Sequence, residues 1–148
     1  MKRNLWKNKK VLITGHTGFK GSWLTLILGN LGAKVYGYAL NPISQPNFFD
    51  GSRLTKFLKE DFRENILNLK KLKNTIDKIK PGIVFHLAAQ SSVLVSYRDP
   101  VGTIKTNTIG TINLLEAARS NKSIKCMIIV TTDKVYQNLE KKIRFKEN

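Results

Sequence analysis

Seven consecutive residues, Gly15-His16-Thr17-Gly18-Phe19-Lys20-Gly21, have the types and spacing to hold a diphosphate. Gly15 allows a sharp turn off a preceding strand. Gly18 lets backbone approach a pyrophosphate where a Cβ would collide, and Gly21 lets the following helix pack against the strand. The N-terminus of that helix then offers free N–H groups to the phosphates. The spacing is G-x-x-G-x-x-G, set between an apolar run at residues 9–14 and helical periodicity from Phe19 onward, the context in which a glycine pattern reads as a dinucleotide site. Phe19 and Lys20, at the helix opening, are included among the expected contacts. His16 and Lys20 read equally as packing or solvated loop residues, and the whole segment also reads as a structural turn.

A second determinant of dinucleotide binding lies at the end of the second strand, where an acidic residue would take the adenosine ribose 2′-hydroxyl. The sequence there is Tyr36-Gly37-Tyr38-Ala39-Leu40-Asn41, with no Asp or Glu. Asn41 can hydrogen-bond a hydroxyl without repelling a 2′-phosphate, and Arg53 could accept one. NAD is the expected cofactor, with NADP left open. No metal is expected.

The elements that must position these residues follow from hydrophobic periodicity. Residues 9–14 read as a buried strand, 19–31 as a helix closed by Gly32, and 34–39 as a second strand. Residues 41–53 hold Pro42, Pro46 and Gly51 and read as loop; 57–60 read as a short third strand. Ile66, Leu69, Leu72, Ile76 and Ile79 predict a helix over 65–80, ended by Pro81-Gly82. Residues 83–87 form a fourth strand, 100–120 contain a helix, and 124–130 form a fifth strand. Strands apolar on both faces belong to a parallel sheet covered by helices. The alternation predicts a doubly wound, Rossmann-like α/β sheet of order 3-2-1-4-5. After Thr131 the pattern becomes polar, so the chain reads as one dinucleotide-binding domain over 1–148, cut before the rest of its fold and without a substrate domain.

The 148 residues suffice for one core. No apolar run approaches a membrane span, and the apolar run after the basic start is too short for a signal peptide. A cytoplasmic protein is expected, in keeping with a single cysteine, Cys126, which reads as a buried, inert strand residue. The net charge of +16 raises a nucleic-acid role, but 20 Lys against 6 Arg, spread along the chain, argue against it. Attraction of an anionic sugar nucleotide is a milder use of the same charge.

Further segments carry a resemblance to the extended short-chain dehydrogenase/reductase family: the glycine loop, Asp61-Phe62-Arg63, and His86-Leu87-Ala88-Ala89-Gln90. Within it, Gly15 through Leu24, Tyr36 through Leu40, Thr131-Thr132-Asp133-Lys134-Val135-Tyr136-Gln137-Asn138 and Phe145-Lys146-Glu147-Asn148 resemble the CDP-glucose 4,6-dehydratases. The second half of the segment Ala88 to Tyr97 also looks like the GDP-mannose 4,6-dehydratases. The resemblance implies that Asp61 binds the adenine amino group with Phe62 packed on the ring. It implies that Leu87, Ala88 and Ala89 pass close to the cofactor and that Asn107 is a structural Asn. His86 reads as a packed strand residue. The implied reaction oxidises a nucleotide sugar at C4, eliminates water across C5 and C6, and returns the hydride to C6. Thr132 would hydrogen-bond the C4 oxygen, and Asp133 would protonate the leaving hydroxyl. Lys134 would be the base at C5 or an electrostatic stabiliser of the enolate. Thr132-Asp133 also reads as an ordinary turn.

The family's catalytic Tyr-x-x-x-Lys pair is not in these 148 residues: Tyr36, Tyr38, Tyr97 and Tyr136 are followed four places on by Leu40, Pro42, Val101 and Glu140. The expected function is the N-terminal part of a sugar-nucleotide 4,6-dehydratase acting on CDP-glucose, inactive alone and homo-oligomeric in its full-length form. The alternatives are another sugar-nucleotide epimerase or dehydratase, of GDP-mannose type, and a non-catalytic dinucleotide-binding module. Neither a nucleic acid nor a membrane is an expected partner.

Overall fold

Val11, Leu12 and Ile13 have no exposed surface, because the strand they form lies at the centre of a sheet packed on both faces. The computed structural model describes residues 5–132, 135–137, 140 and 144. Its five strands are β1 (Lys10–Thr14), β2 (Lys34–Ala39), β3 (Leu58–Arg63), β4 (Ile83–His86) and β5 (Cys126–Ile129). They form one parallel sheet of order β3-β2-β1-β4-β5. This is the predicted doubly wound Rossmann-type arrangement. The chain order reverses at β1, so the carboxyl ends of β1, β2 and β4 open a crevice at the switch point.

Among the described residues six helices flank the sheet: α1 (Phe19–Asn30), α2 (Phe48–Gly51), α3 (Leu69–Ile79), α4 (Val93–Arg98), α5 (Pro100–Ile104) and α6 (Gly110–Arg119). A five-residue π turn, Lys105–Ile109, joins α5 to α6 without a break. One core sets Val11, Ile13 and Val35 against Leu28 of α1. The other sets Leu12, Tyr38 and Val84 against Leu72, Ile76 and Ile79 of α3 and Leu114 and Ala117 of α6. Helix α1 closes as the sequence predicts: Gly32 adopts φ +84°, its N–H donates to Gly29 O at 3.0 Å, and Ala33 N–H donates to Leu28 O at 3.0 Å.

Several boundaries differ from expectation, each for a local reason. Helix α3 starts at Leu69 rather than 65, because the Asn68 side chain accepts from Lys71 N–H (3.1 Å) and caps it there. The expected loop at 41–53 contains α2, capped by Asn47, whose side-chain Oδ1 accepts from Asp50 N–H at 2.8 Å. A 3-10 turn, Leu54–Phe57, follows, anchored by the buried Leu54. Strand β3 therefore runs Leu58–Arg63, and Asp61 and Phe62 lie inside it rather than beyond it. The sequence reading also lacks α4, which Ser92 caps. Cys126 is exposed, not buried. Among the described residues β5 is the sheet edge, and no strand lies beyond it.

Candidate dinucleotide cleft

The crevice at the carboxyl ends of the strands is a cleft of about 700 Å3. One wall is the glycine loop. Gly15 turns off β1 at φ +75°, and a Cβ there would stand 2.6 Å from Leu87 C and Ala88 N, so the loops after β1 and β4 lie backbone against backbone. Gly18 N–H donates to Gly15 O at 3.1 Å, and Gly18 is the N-cap of α1. Among the described residues no side chain caps that N-terminus, and the first turn holds no acidic residue. Its opening amides and their partial positive charge are therefore turned to the cleft. A Cβ on Gly18 would meet only Gly15 O, at 3.4 Å.

Of the expected cofactor residues, the structure brings Gly15, Gly18, Phe19, Lys20, Gly21, Asn41, Leu87, Ala88 and Ala89 to this cleft. Thr17 Oγ1–H donates to Leu40 O at 3.0 Å, tying the glycine loop to the end of β2 where Asn41 stands. Arg53 starts the 3-10 turn at φ +49° and does not line the cleft.

Asp61 and Phe62 stand off the cleft, because they are strand residues on opposite faces of β3. The Asp61 carboxylate is 2.8 Å from His16 Nε2 and 2.7 Å from an Arg63 nitrogen, braced beneath the glycine loop. Phe62 packs against the other core. The positions that do reach the cleft after β3 are Glu64, Asn65 and Ile66, which the sequence reading passed over. They are held in place by Tyr38, whose hydroxyl donates to Asn65 O at 3.1 Å; burial pushes the Tyr38 pKa up to about 12, so it stays a neutral donor. Asn65 Oδ1 also accepts from Leu67 N–H at 2.9 Å. The signal for this site was the Asn65-x-x-Asn68 turn chemistry before α3.

His16 is fully buried inside the glycine loop. Burial lowers its pKa to about 4, against the raising effect of Asp61, so the ring is neutral at pH 7. Its edge meets Phe49 of α2, with centroids 5.3 Å apart, and Arg63 lies over the same Phe49 ring at 4.9 Å. The outer cleft wall is thus fixed to the glycine loop through aromatic contacts; Phe48 of α2 adds a stacked contact with Trp23 of α1, centroids 4.5 Å apart.

The end of β5 contributes Val130 and Thr131 to the cleft, and Val130 N–H donates to His86 O at 3.0 Å. Thr132 follows and is exposed. Asp133 and Lys134 lie outside the described residues. Asn107 sits in the π turn beside the loop after β4, while its neighbour Thr106, unanticipated, lines the cleft. Among the described residues no cluster of His, Cys, Asp or Glu is arranged to hold a metal ion, and no helix is long and apolar enough to cross a membrane.

The chain is 45% identical over 146 residues to a CDP-glucose 4,6-dehydratase of Salmonella typhimurium, a match covering 99% of this chain and 40% of that one. Among solved structures it resembles an epimerase of Methanothermobacter thermautotrophicus (TM-score 0.76, 27% identity, 98% of this chain and 41% of the other). It also resembles a Thermus thermophilus UDP-glucose 4-epimerase in complex with NAD (TM-score 0.66, 32% identity, 79% of this chain and 36% of the other). The chain therefore spans about two fifths of the length of that dehydratase. The family model described as GDP-mannose 4,6 dehydratase matches residues 12–148, and by that match the chain belongs to the GDP-mannose 4,6-dehydratase family.

Proposed function

We propose that this chain is the dinucleotide-binding part of a sugar-nucleotide 4,6-dehydratase that uses NAD and acts on CDP-glucose. The observation that carries the reading is the uncapped start of α1 beside Gly18. The protein itself leaves ordinary room for a Cβ at Gly18, so the glycine is needed by what lies against the loop rather than by the fold. A pyrophosphate approaching backbone amides has that requirement.

When bound, the nicotinamide supplies a hydride acceptor and donor for the sugar. The chain's residues bind and orient it. The first amides of α1, at Phe19, Lys20 and Gly21, take the pyrophosphate with the Lys20 cation near them. Asn41 hydrogen-bonds the adenosine ribose, and Asn65 and Ile66 flank the adenine in the role first expected of Asp61 and Phe62. Leu87, Ala88 and Ala89 form an inner wall whose small side chains permit close approach, and Gly15 and Gly21 set the loop. Thr132 is assigned to the sugar C4 oxygen, Asp133 to proton donation to the departing hydroxyl, and Lys134 to the C5 proton or the enolate charge.

The match to the GDP-mannose 4,6 dehydratase family favours a second reading, GDP-mannose as substrate; the 45% identity to the CDP-glucose relative supports the first. We also assign the whole protein to the cytoplasm, as a homo-oligomer. Calorimetric titration with NAD tests the cleft: the parent chain should bind and Gly18→Val should not. Equal affinity of the two folded proteins would overturn the reading.

A further inference from the structure

The loop after β4 is held by a closed chain of hydrogen bonds that starts at a buried imidazole outside the cleft. His86 is 2% exposed, and burial lowers its pKa, so the ring is neutral. Its Nδ1 lies 2.6 Å from Thr14 Oγ1 and its Nε2 lies 2.9 Å from Thr111 Oγ1.

The proton positions follow from the Thr111 end. Thr111 has one hydroxyl proton and donates it to Asn107 O at 2.7 Å, so its oxygen can only accept from His86 Nε2–H. At the other end Thr14 Oγ1 accepts from Ala88 N–H, at 3.4 Å, and donates its own proton to His86 Nδ1. The Thr111 end thus fixes the Nε2–H tautomer, and with Nδ1 then an acceptor the Thr14 hydroxyl is its donor. Beyond Thr111, the π turn presents the Asn107 amide to the loop: its Oδ1 accepts from Gln90 N–H at 2.7 Å and its Nδ2–H donates to Gln90 O at 2.9 Å. The Gln90 side chain is itself fixed, accepting from Ser92 N–H at 2.6 Å and donating to Thr103 Oγ1 at 2.9 Å.

We propose that His86, held as the Nε2–H tautomer, is a positioning residue that fixes the cleft wall at Leu87, Ala88 and Ala89 between β1 and the π turn. The ring does not line the cleft. It acts through Thr14 on the start of the loop, and through Thr111 and Asn107 on its end at Gln90. The π turn has a function on this view. Single π turns inside α-helices recur at functional sites. Here the Thr111 hydroxyl donates to the Asn107 carbonyl and accepts from His86, which joins the π turn to the strand.

The inference rests on the NAD reading for its effect on affinity, but not for its geometry. The test uses the 148-residue chain with Thr111→Val, which keeps the shape and removes both hydrogen bonds, and Thr111→Ser, which restores them. Long-range 1H–15N spectra of the parent should give the Nε2–H pattern for His86, and the Nδ1–H pattern overturns the proposal. Thr111→Val should speed amide exchange at Ala88 and Gln90 and weaken NAD binding about tenfold, the effect of one unsatisfied buried group. Thr111→Ser should recover both. Parental exchange in Thr111→Val sinks the proposal. If the parent fails to bind NAD, the functional reading falls, and the tautomer and the exchange rates still decide the role of His86.

Discussion

A Cβ on Gly21 would fall on the carbonyl oxygen of Gly15 and within 2.7 Å of the His16 Cα. The first turn of α1 is therefore seated directly on the loop that leaves β1, with no side-chain layer between them. Gly18, three residues earlier, has no such neighbour. The two glycines of one motif thus stand in different surroundings, and on the proposed function Gly21 answers to the fold and Gly18 to the dinucleotide. Gly21→Ala should push α1 off β1 and lower stability by several kcal/mol, about 2–4, as overpacking against backbone does. Gly18→Ala should melt within a few degrees of the parent while losing NAD affinity at least tenfold. Denaturant titration and calorimetry on both variants check this; a destabilised Gly18→Ala with parental affinity would reverse the assignment.

His16 makes the glycine loop acid-sensitive. Burial holds its pKa down to about 4, while the unfolded side chain titrates at 6.5, with Asp61 and Arg63 its charged neighbours in the fold. Above 6.5 both states are neutral at this ring. Between 6.5 and 4 the unfolded chain takes the proton first, so stability falls as pH falls through that window. The upper bound is roughly 3 kcal/mol. His16→Gln keeps a donor toward Asp61 and cannot titrate. Urea midpoints at pH 7 and pH 4.5 should fall more steeply for the parent than for His16→Gln, and parallel slopes refute the prediction.

How much of this was readable beforehand depends on what kind of residue carries each element. The runs Val11-Leu12-Ile13 and Ile83-Val84-Phe85 are apolar on both faces, so the central strands were legible from composition, and the sheet order followed from the alternation of strands and helices. Strand β3 carries Lys59, Glu60, Asp61 and Arg63, and looks like a surface segment. Its charges are matched by partners distant in sequence, Glu60 with Lys78 and Asp61 with His16. Its end was therefore placed three residues early, and Asp61-Phe62 took the position in the cleft that belongs to Asn65-Ile66. The short helices α2 and α4 are set by the caps Asn47 and Ser92 within chain too short to display a helical period. The Thr14–His86–Thr111 chain joins residues 72 and 25 positions apart, which no local pattern reveals.

The 148-residue chain should not turn over CDP-glucose. No tyrosine in it is followed four residues later by lysine, so the pair that would remove the C4 hydroxyl proton is missing from this sequence. Incubation with CDP-glucose and NAD, followed by assay for a 4-keto sugar, should give no product above background. Turnover on the scale of ordinary enzymes, about 1–1000 per second, would mean that another residue serves as the base.

Self-association should centre on the helices after β4. Along the continuous helix of α5, the π turn and α6, Val101, Ile104, Ile112 and Leu115 are 60%, 62%, 52% and 45% exposed. Their spacing of three and eleven residues keeps them near one line, and Leu94 and Tyr97 of α4 extend the apolar surface. Exposed apolar side chains gathered on one face, rather than scattered singly, mark interaction surfaces. Charge argues for a second copy as the occupant. The molecule as a whole carries +16, which repels its own kind at most orientations. Residues 93–119, however, carry Arg98, Lys105 and Arg119 against Asp99 and Glu116, so two copies can meet here with little repulsion. Sedimentation velocity at micromolar concentration should find the parent dimeric or larger and the Ile104→Glu/Ile112→Glu variant monomeric but still cooperatively folded, because neither side chain is in the core, with its melt lowered only by the lost stabilisation of the dimer. A monomeric parent, or a double variant that associates as the parent does, would show that this face is not where copies of the chain meet.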